Sequence, residues 1–225
     1  MDETQLTTAF RTLPQTEEFY RYVVASGQPP DDVLLDLTRQ TQALGDVARM
    51  QIPAEQGAFL NLLTHILAPS LAVEIGTFTG YSALWIARGL PPGSQLLCCD
   101  INSKWTDIAR RYWQRAQVSD RIRLVLAPAA ETLADLPVGT KVDFAFIDAD
   151  KPAYIDYYEA LVPRLSDRAL IAVDNVLWGG QVIDLADTSA DTQALRDFNS
   201  HVAADPRTRQ VVLPIGDGLS LIALA

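Results

Sequence analysis

Seven short apolar runs punctuate the chain: LAVEI (71–75), QLLCC (95–99), IRLVL (122–126), VDFAFI (142–147), ALIAV (169–173), QVVLP (210–214) and GLSLIAL (218–224). Near-continuous apolar runs of this length, bounded by turn residues, predict strands buried on both faces, as in a parallel sheet. Only Ile215-Gly216-Asp217 separates the last two, too little for a crossover, so they are predicted to pair as an antiparallel hairpin. Helical spacing occupies several of the gaps. In 102–117, Trp105, Ile108, Tyr112 and Ala116 share one face, with Lys104, Arg111 and Arg115 mostly on the other. Segment 152–165 opens with Pro152, suited to a first turn, and carries Tyr154, Tyr158, Leu161 and Leu165. Upstream, 31–49 and 54–67 predict two helices joined across Gln51-Ile52-Pro53, the first led by Asp31 and Asp32 after Pro29-Pro30. Residues 1–30 are less regular, and Phe10, Phe19, Tyr20 and Tyr22 suggest that this stretch docks on the remainder. With no repeat or linker, the expectation is one doubly wound α/β domain over 1–225: a helical extension (1–50) and a core (51–225).

Composition narrows the class. The chain has 225 residues, 48% of them apolar, with a formal net charge of −10. A chain of this length buries roughly 70–75% of its unfolded surface and folds without a disulfide or metal staple. The apolar fraction excludes disorder as the dominant state. The acid excess argues against a general nucleic-acid binder, which needs a basic face. No apolar run approaches the roughly 18 residues of a membrane span, and MDETQLTTAFRTLPQ lacks the apolar stretch of a secretory signal. Cys98 and Cys99 are neighbours on a strand and point to opposite faces, so both read as small buried hydrophobes. A reducing cytoplasm is the expected compartment.

The first chemistry-bearing segment is Val73-Glu74-Ile75-Gly76-Thr77-Phe78-Thr79-Gly80-Tyr81-Ser82, a strand running into a glycine-rich loop and then a helix. Ligands of open α/β sheets bind outside the carboxyl ends of the strands, where strand order reverses. Gly76 and Gly80 would let backbone approach a ligand closely. Their spacing is GxxxG, not GxGxxG, and a loop serving only packing stays open as an alternative. Asp100 ends the next strand, where a carboxylate can accept from both hydroxyls of a ribose; a helix-capping role is the plainer reading. Glu74 adds a charge argument. A buried acid needs a partner, and a sulfonium or ammonium would supply one where a pyrophosphate would be repelled. That favours S-adenosylmethionine over a nicotinamide dinucleotide.

Two further strand ends carry oxygens: VDFAFI runs into Asp148-Ala149-Asp150-Lys151, and ALIAV into Asp174-Asn175. Parallel strands bring these ends to the edge that holds the glycine loop. Asp148, Asp174 and Asn175 offer oxygen ligands only, which suits Mg²⁺, Mn²⁺ or Ca²⁺. Zinc does not fit, because His65 and His201 are isolated, neither lies near this edge, and both read as surface or helix residues. Helix capping and turn formation remain the alternative for the acids, as does simple pairing of Lys151 with Asp148 or Asp150.

Taken together, MQIPAEQGAFL, VEIGTFTGYSALWIA, DFAFIDADKPAYIDYYE, IAVDNVLWGG and LPIGDGLSLIAL resemble the cation-dependent class I O-methyltransferases, the caffeoyl-CoA and catechol O-methyltransferase group, especially its bacterial small-phenol branch. The resemblance runs from about Leu34 to the C-terminus. It implies a Rossmann-like class I methyltransferase fold, with a seven-stranded, mainly parallel sheet, a C-terminal antiparallel hairpin and an N-terminal helical extension. It further implies Asp148, Asp174 and Asn175 on a divalent cation, Mg²⁺ first, and Asp100 on the ribose of S-adenosylmethionine. Glu74, Gly76 and Ser82, with backbone around Ile52, would hold the cofactor's amino-acid portion. Asp148 and Asp150 would also face the cofactor, and Ala130 would lie by the adenine. Lys151 corresponds to the general base, and Trp178 to an aromatic wall beside the phenol. The plant enzymes often carry a hydroxylated residue where this chain has Ile52, which leaves Ile52 a backbone role.

The implied reaction is methylation of one hydroxyl of a vicinal diphenol such as a hydroxycinnamate, flavonoid or polyketide-derived ring. Much of the acceleration would come from positioning, which supplies roughly 7–11 kcal/mol in well-oriented systems. Residues 1–35 and the 178–192 segment would set the acceptor's size. A coenzyme A ester is the alternative acceptor, but its phosphates need basic contacts, and Arg11 and Arg21 stand among Asp2, Glu3, Glu17, Glu18, Asp31 and Asp32. A homodimer is the expected assembly. The rival readings are a nicotinamide-dependent oxidoreductase and a non-catalytic S-adenosylmethionine-binding protein.

Overall fold

Period-two burial along the central strands sets the architecture. In the computed structural model, which describes residues 16–225, Ala72, Leu96, Cys98, Phe144 and Phe146 point into one apolar cluster. Their neighbours Val73, Leu97, Cys99, Ala145 and Ile147 point into a second cluster on the opposite face. Strands covered on both faces have no polar side to alternate with, which is why the sequence shows continuous apolar runs. The two adjacent cysteines fall in different clusters, both buried and free.

The strands are β1 (Leu71–Ile75), β2 (Gln95–Asp100), β3 (Ile122–Leu126), β4 (Val142–Ile147), β5 (Leu165–Val173), β6 (Thr208–Leu213) and β7 (Leu219–Leu224). They form one sheet in the order β3-β2-β1-β4-β5-β7-β6. β1 to β5 run parallel, and β7 pairs antiparallel with both β5 and β6, as the short final connection requires. Strand order reverses between β1 and β4, and this edge is the crevice where a ligand is expected.

Helices cover both faces. α1 (Glu17–Ser26), α2 (Asp32–Gln42), α3 (Ala54–Leu67), α4 (Tyr81–Gly89) and α5 (Ser103–Arg115) precede β3; α6 (Ala129–Ala134), α7 (Tyr154–Leu161) and α8 (Ala190–Ala204) follow it. Leu34, Leu37, Leu60, Leu84, Ile108 and Tyr112 place α2 to α5 on the first cluster, and Leu133, Tyr158, Leu161, Leu195 and Phe198 place α6 to α8 on the second. No helix among the described residues is long and apolar enough to cross a membrane.

Several boundaries differ from expectation, for local reasons. The helix expected over 31–49 ends at Gln42, and a 3₁₀ segment, Gly45–Met50, follows after Gly45 takes φ +77°. The helix expected over 152–165 is α7 flanked by two 3₁₀ turns, Lys151–Ala153 and Val162–Arg164, each holding a proline. β5 therefore starts at Leu165, four residues earlier than the apolar run indicates. The irregular 1–30 stretch contains α1, capped by the Thr16 side chain, which accepts from Phe19 N at 3.1 Å; α1 buries none of its residues. Phe10 and Arg11 lie outside the described residues. α8 was not expected at all, because its buried stripe of Thr192, Leu195, Phe198 and Val202 is thin and set among polar residues.

α8 braces the β4 and β5 side of the sheet. Phe198 is fully buried and meets Tyr154 and Tyr158 edge-on, with centroids 5.6 and 6.2 Å away. Phe198→Ala should lower unfolding stability by about 3–5 kcal/mol, read as a reduced urea midpoint. A loss below about 1 kcal/mol would mean that α8 is not a core element.

Candidate active site

Ladder bonds continue past the strand ends and seat three loops side by side. Gly76 N donates to Cys99 O at 3.0 Å, Asp148 N to Ile75 O at 2.9 Å, and Asp174 N to Ile147 O at 2.9 Å. Gly76 has φ +88°, and a Cβ there would overlap the carbonyl of Asp148. Gly80, at φ +82°, leaves room for Ala109 and Trp113 of α5. The packing role left open for this loop is therefore present at both glycines. Their missing side chains admit neighbouring protein, and Gly76 fixes the distance between the β1 and β4 loops.

At one end of this edge stands Asp100. Its Oδ2 accepts from Thr77 N at 3.0 Å and Phe78 N at 2.8 Å, and its Oδ1 from Asn102 N at 2.7 Å. Asp100 thereby shapes the glycine loop. The cap of α5 is Asn102, whose Oδ1 accepts from Lys104 N and Trp105 N at 3.0 and 3.3 Å. Phe78, at φ +49°, stands edge-on to Trp105 with centroids 4.9 Å apart.

Below the loop, Glu74 is fully buried. Its Oε2 accepts from Thr77 Oγ1 at 3.0 Å and Cys98 Sγ at 3.4 Å, while Oε1 has no hydrogen-bond partner among the described residues. Burial pushes its carboxyl up to about 8, against the neighbouring Ser82, Cys98 and Thr77 donors. Ile52 sinks its side chain into the first core cluster, so backbone is what it can offer to a ligand. Ala130 is exposed at the start of α6, and Asp150 Oδ1 accepts from Tyr157 OH at 2.7 Å.

The other end gathers Asp148, Lys151, Asp174, Asn175 and Trp178. Asp174 is 2% exposed, and its Oδ1 accepts from Asn175 N at 2.7 Å. Asn175 takes φ +60°, a left-handed turn that short polar side chains tolerate. Lys151, 8% exposed, donates from Nζ to Asn175 Oδ1 and Tyr154 OH, both at 2.6 Å, and to Asp148 Oδ1 at 3.4 Å. The Trp178 ring lies 5.6 Å from the same Nζ. Burial, then the Asp148 charge, pushes Asp174 up to about 7, and burial raises Asp148 against the opposing pull of Lys151. Two adjacent sequestered carboxylates thus share one ammonium. The surplus negative charge and the oxygen-only donors fit a hard divalent cation.

Two other features lie away from this edge. Glu159, His201 and Asp205 come close enough together to hold a metal, so His201 is not the isolated residue expected. Arg207 already bridges Glu159 at 2.7 Å and Asp205 at 2.6 Å, which makes this an ion-pair staple between α7, α8 and the start of β6. A cavity of about 360 Å³ opens beside Tyr20, Leu35, Ile52 and Tyr81, under α1 rather than beside Lys151.

The O-methyltransferase family profile matches residues 25–224. The chain belongs to this family. It is 34% identical to a probable caffeoyl-CoA O-methyltransferase 2 of Dictyostelium discoideum over 89% of both chains, and 34% identical to the caffeoyl-CoA O-methyltransferase of Eucalyptus gunnii over 94% of this chain and 89% of that one. The solved O-methyltransferase of Bacillus cereus in complex with SAH superposes with a TM-score of 0.85 at 31% identity, covering 92% of this chain and 97% of that one.

Three residues of this O-methyltransferase's site did not stand out in sequence. Tyr154 follows Lys151 by three and reads as a core residue, yet its hydroxyl accepts from Lys151 and lies 3.2 Å from the Asp174 carbonyl. Tyr157 holds Asp150. Gln56, within AEQG, carries no signal beyond its motif.

The burial of Glu74 has a measurable consequence. Its folded pKa of about 8 lies above the unfolded value of 4.5, so the protonated form favours folding. Its stabilisation is complete below about pH 4.5 and is lost as pH rises toward 8. Ligand-free Glu74→Gln should melt at least about 3 °C above wild type at pH 8, with the gap nearly closed at pH 5. A gap independent of pH would show that Glu74 is not a buried acid.

Proposed function

We propose that this enzyme transfers the methyl group of S-adenosylmethionine to one hydroxyl of a vicinal diphenol, with a divalent cation at the Asp148, Asp174 and Asn175 oxygens. The observation that carries this reading is one sheet edge with two sequestered acid centres whose ionised forms lack a balancing cation: Glu74 at the β1 loop and the Asp148–Asp174 pair beside Lys151. The complex of the Bacillus cereus neighbour with SAH supports the cofactor.

When bound, the cofactor supplies an electrophilic methyl on a sulfonium, and the cation supplies Lewis-acid polarisation of a phenolic oxygen. The chain's own groups do the rest. Glu74 Oε1 is the free acceptor for the cofactor's ammonium, and Ser82 and backbone at Gly76 and Ile52 line the same portion. Asp100 Oδ1 retains a lone pair for a ribose hydroxyl, with Ala130 toward the adenine and Asp150, held by Tyr157, toward the cofactor. Asn175 and Tyr154 fix Lys151 Nζ, which accepts the phenolic proton once it is in its amine form. The phenolate oxygen then attacks the methyl carbon. The C–O bond forms as the C–S bond breaks, and the electron pair stays on sulfur. Trp178 walls the ring.

Relatives named caffeoyl-CoA O-methyltransferases favour a second reading, a coenzyme A ester acceptor. The described N-terminal region gives it little support: Arg21 pairs with Glu17, and Arg39 with Asp36. A free diphenol is therefore the preferred acceptor.

Mass spectrometry on a panel of catechols and caffeoyl-CoA, with Mg²⁺ or chelator, tests both. Free catechols should gain about 14 Da only with the cation. Lys151→Met should lower kcat by about 10²–10⁴ while SAH binding persists. Preferred turnover of the thioester would replace the acceptor assignment, and product formation in chelator would remove the cation.

A further inference from the structure

Gln56, in the first turn of α3, is fully buried, yet neither its Nε2 nor its Oε1 has a hydrogen-bond partner among the described residues. A buried amide left unsatisfied costs about 1–3 kcal/mol, and an apolar side chain of the same shape would remove that cost. A polar side chain at such a position points to a partner it meets in the working enzyme.

Its surroundings identify that partner. Oε1 lies under Gly216, where a Cβ would overlap it, and Gly216 has φ +54°. The loop carrying Gly216 is tied to the segment that follows Asp174: Val176 N donates to Gly218 O and Leu177 N to Asp217 O, both at 3.1 Å. The Gln56 amide lies against this loop, near enough to the Asp174 carboxylate to lower its pKa against the larger effect of burial, yet outside hydrogen-bonding geometry. Asp174 Oδ1 is already engaged by Asn175 N, and among the described residues no donor is hydrogen-bonded to Oδ2.

We propose that Gln56 is a positioning residue for the cation site: with the ion bound, its Nε2 closes onto Asp174 Oδ2, donates to it and fixes which lone pairs of that carboxylate face the ion. This rests on the divalent-cation reading above. Carboxylates that bind metals are themselves oriented by hydrogen bonds, and loss of such a partner typically lowers metal affinity 10–100-fold. Gln56 would not touch substrate or cofactor, so the effect should be confined to the metal.

The test uses the full-length protein and Mn²⁺ alone, with free Mn²⁺ followed by electron paramagnetic resonance. Gln56→Met, unbranched like glutamine, and Gln56→Leu, in case the first packs badly, are compared with wild type. SAH affinity without metal and the metal-free melting temperature are measured in parallel. Both variants should bind Mn²⁺ 10–100-fold more weakly, keep SAH affinity within about twofold, and melt at or above the wild-type temperature. Unchanged Mn²⁺ affinity beside a wild type that binds the ion overturns this proposal alone. Weakened SAH binding together with a lower melting temperature overturns it in favour of a packing role. A wild type that binds no Mn²⁺ overturns the cation reading and this proposal with it.

Discussion

The contact on which the site depends is between Gly76 and the backbone of Asp148. The parallel register of β1 and β4 brings the two strand ends level, and the ladder continues one residue further through Asp148 N and Ile75 O. Any side chain at 76 would have to share space with the Asp148 carbonyl. The glycine loop and the first acid of the oxygen cluster are therefore locked at backbone distance. In the proposed reaction a methyl donor on one loop and an acceptor on the other would have to meet within a few ångströms for in-line transfer. That proximity is built from main chain, which is stiffer than any side-chain bridge.

This rigidity allows the edge to carry groups that oppose folding. Glu74 and Asp174 are sequestered acids whose ionised forms are disfavoured by burial. The surrounding network holds them without neutralising them: Thr77 and Cys98 take one oxygen of Glu74, and Asn175 N one oxygen of Asp174. Aromatic packing behind the edge, from Tyr154 and Phe198 of α7 and α8, supplies apolar burial to offset the cost. Stability and readiness for cationic ligands are thus separated in space, the first in the two core clusters and the second at the strand ends.

Much of this was legible from the chain, because burial on both faces leaves a plain mark. All seven strands appear as apolar runs, and the carboxylates stand at the strand ends where parallel topology must gather them. What escaped detection has physical causes. α8 buries a narrow stripe in a polar setting and so shows no strong period, and α1 buries none of its residues. The helix ends near Pro152 and Pro163 are not legible in sequence because 3₁₀ turns carry helix-like spacing. Within the site, one-dimensional spacing identified acids but not their partners. That Asp100 clamps the loop amides, that Tyr154 holds Lys151 and that Gln56 is orphaned are facts of three-dimensional proximity. His201 is the converse case: isolated in sequence, it meets Glu159 at 2.7 Å through the packing of α7 on α8.

Charge counting distinguishes the two ends of the edge. At Glu74, one buried carboxylate retains one unsatisfied oxygen, and its donors are neutral hydroxyl and thiol groups. A single positive charge balances it, as an ammonium or sulfonium would, whereas a divalent ion would find one protein carboxylate and few further ligands. At Asp148 and Asp174, two carboxylates and the Asn175 carbonyl already have one ammonium among them, yet both acids remain raised. Lys151 is too firmly held by Asn175 and Tyr154 to serve both carboxylates, and its contact with Asp148 is the longest of its three. The proposed dication would balance both acids and take several of these oxygens at once. In the proposed function the monocation would sit at the β1 loop and the dication beyond it, their separation set by the Gly76–Asp148 contact.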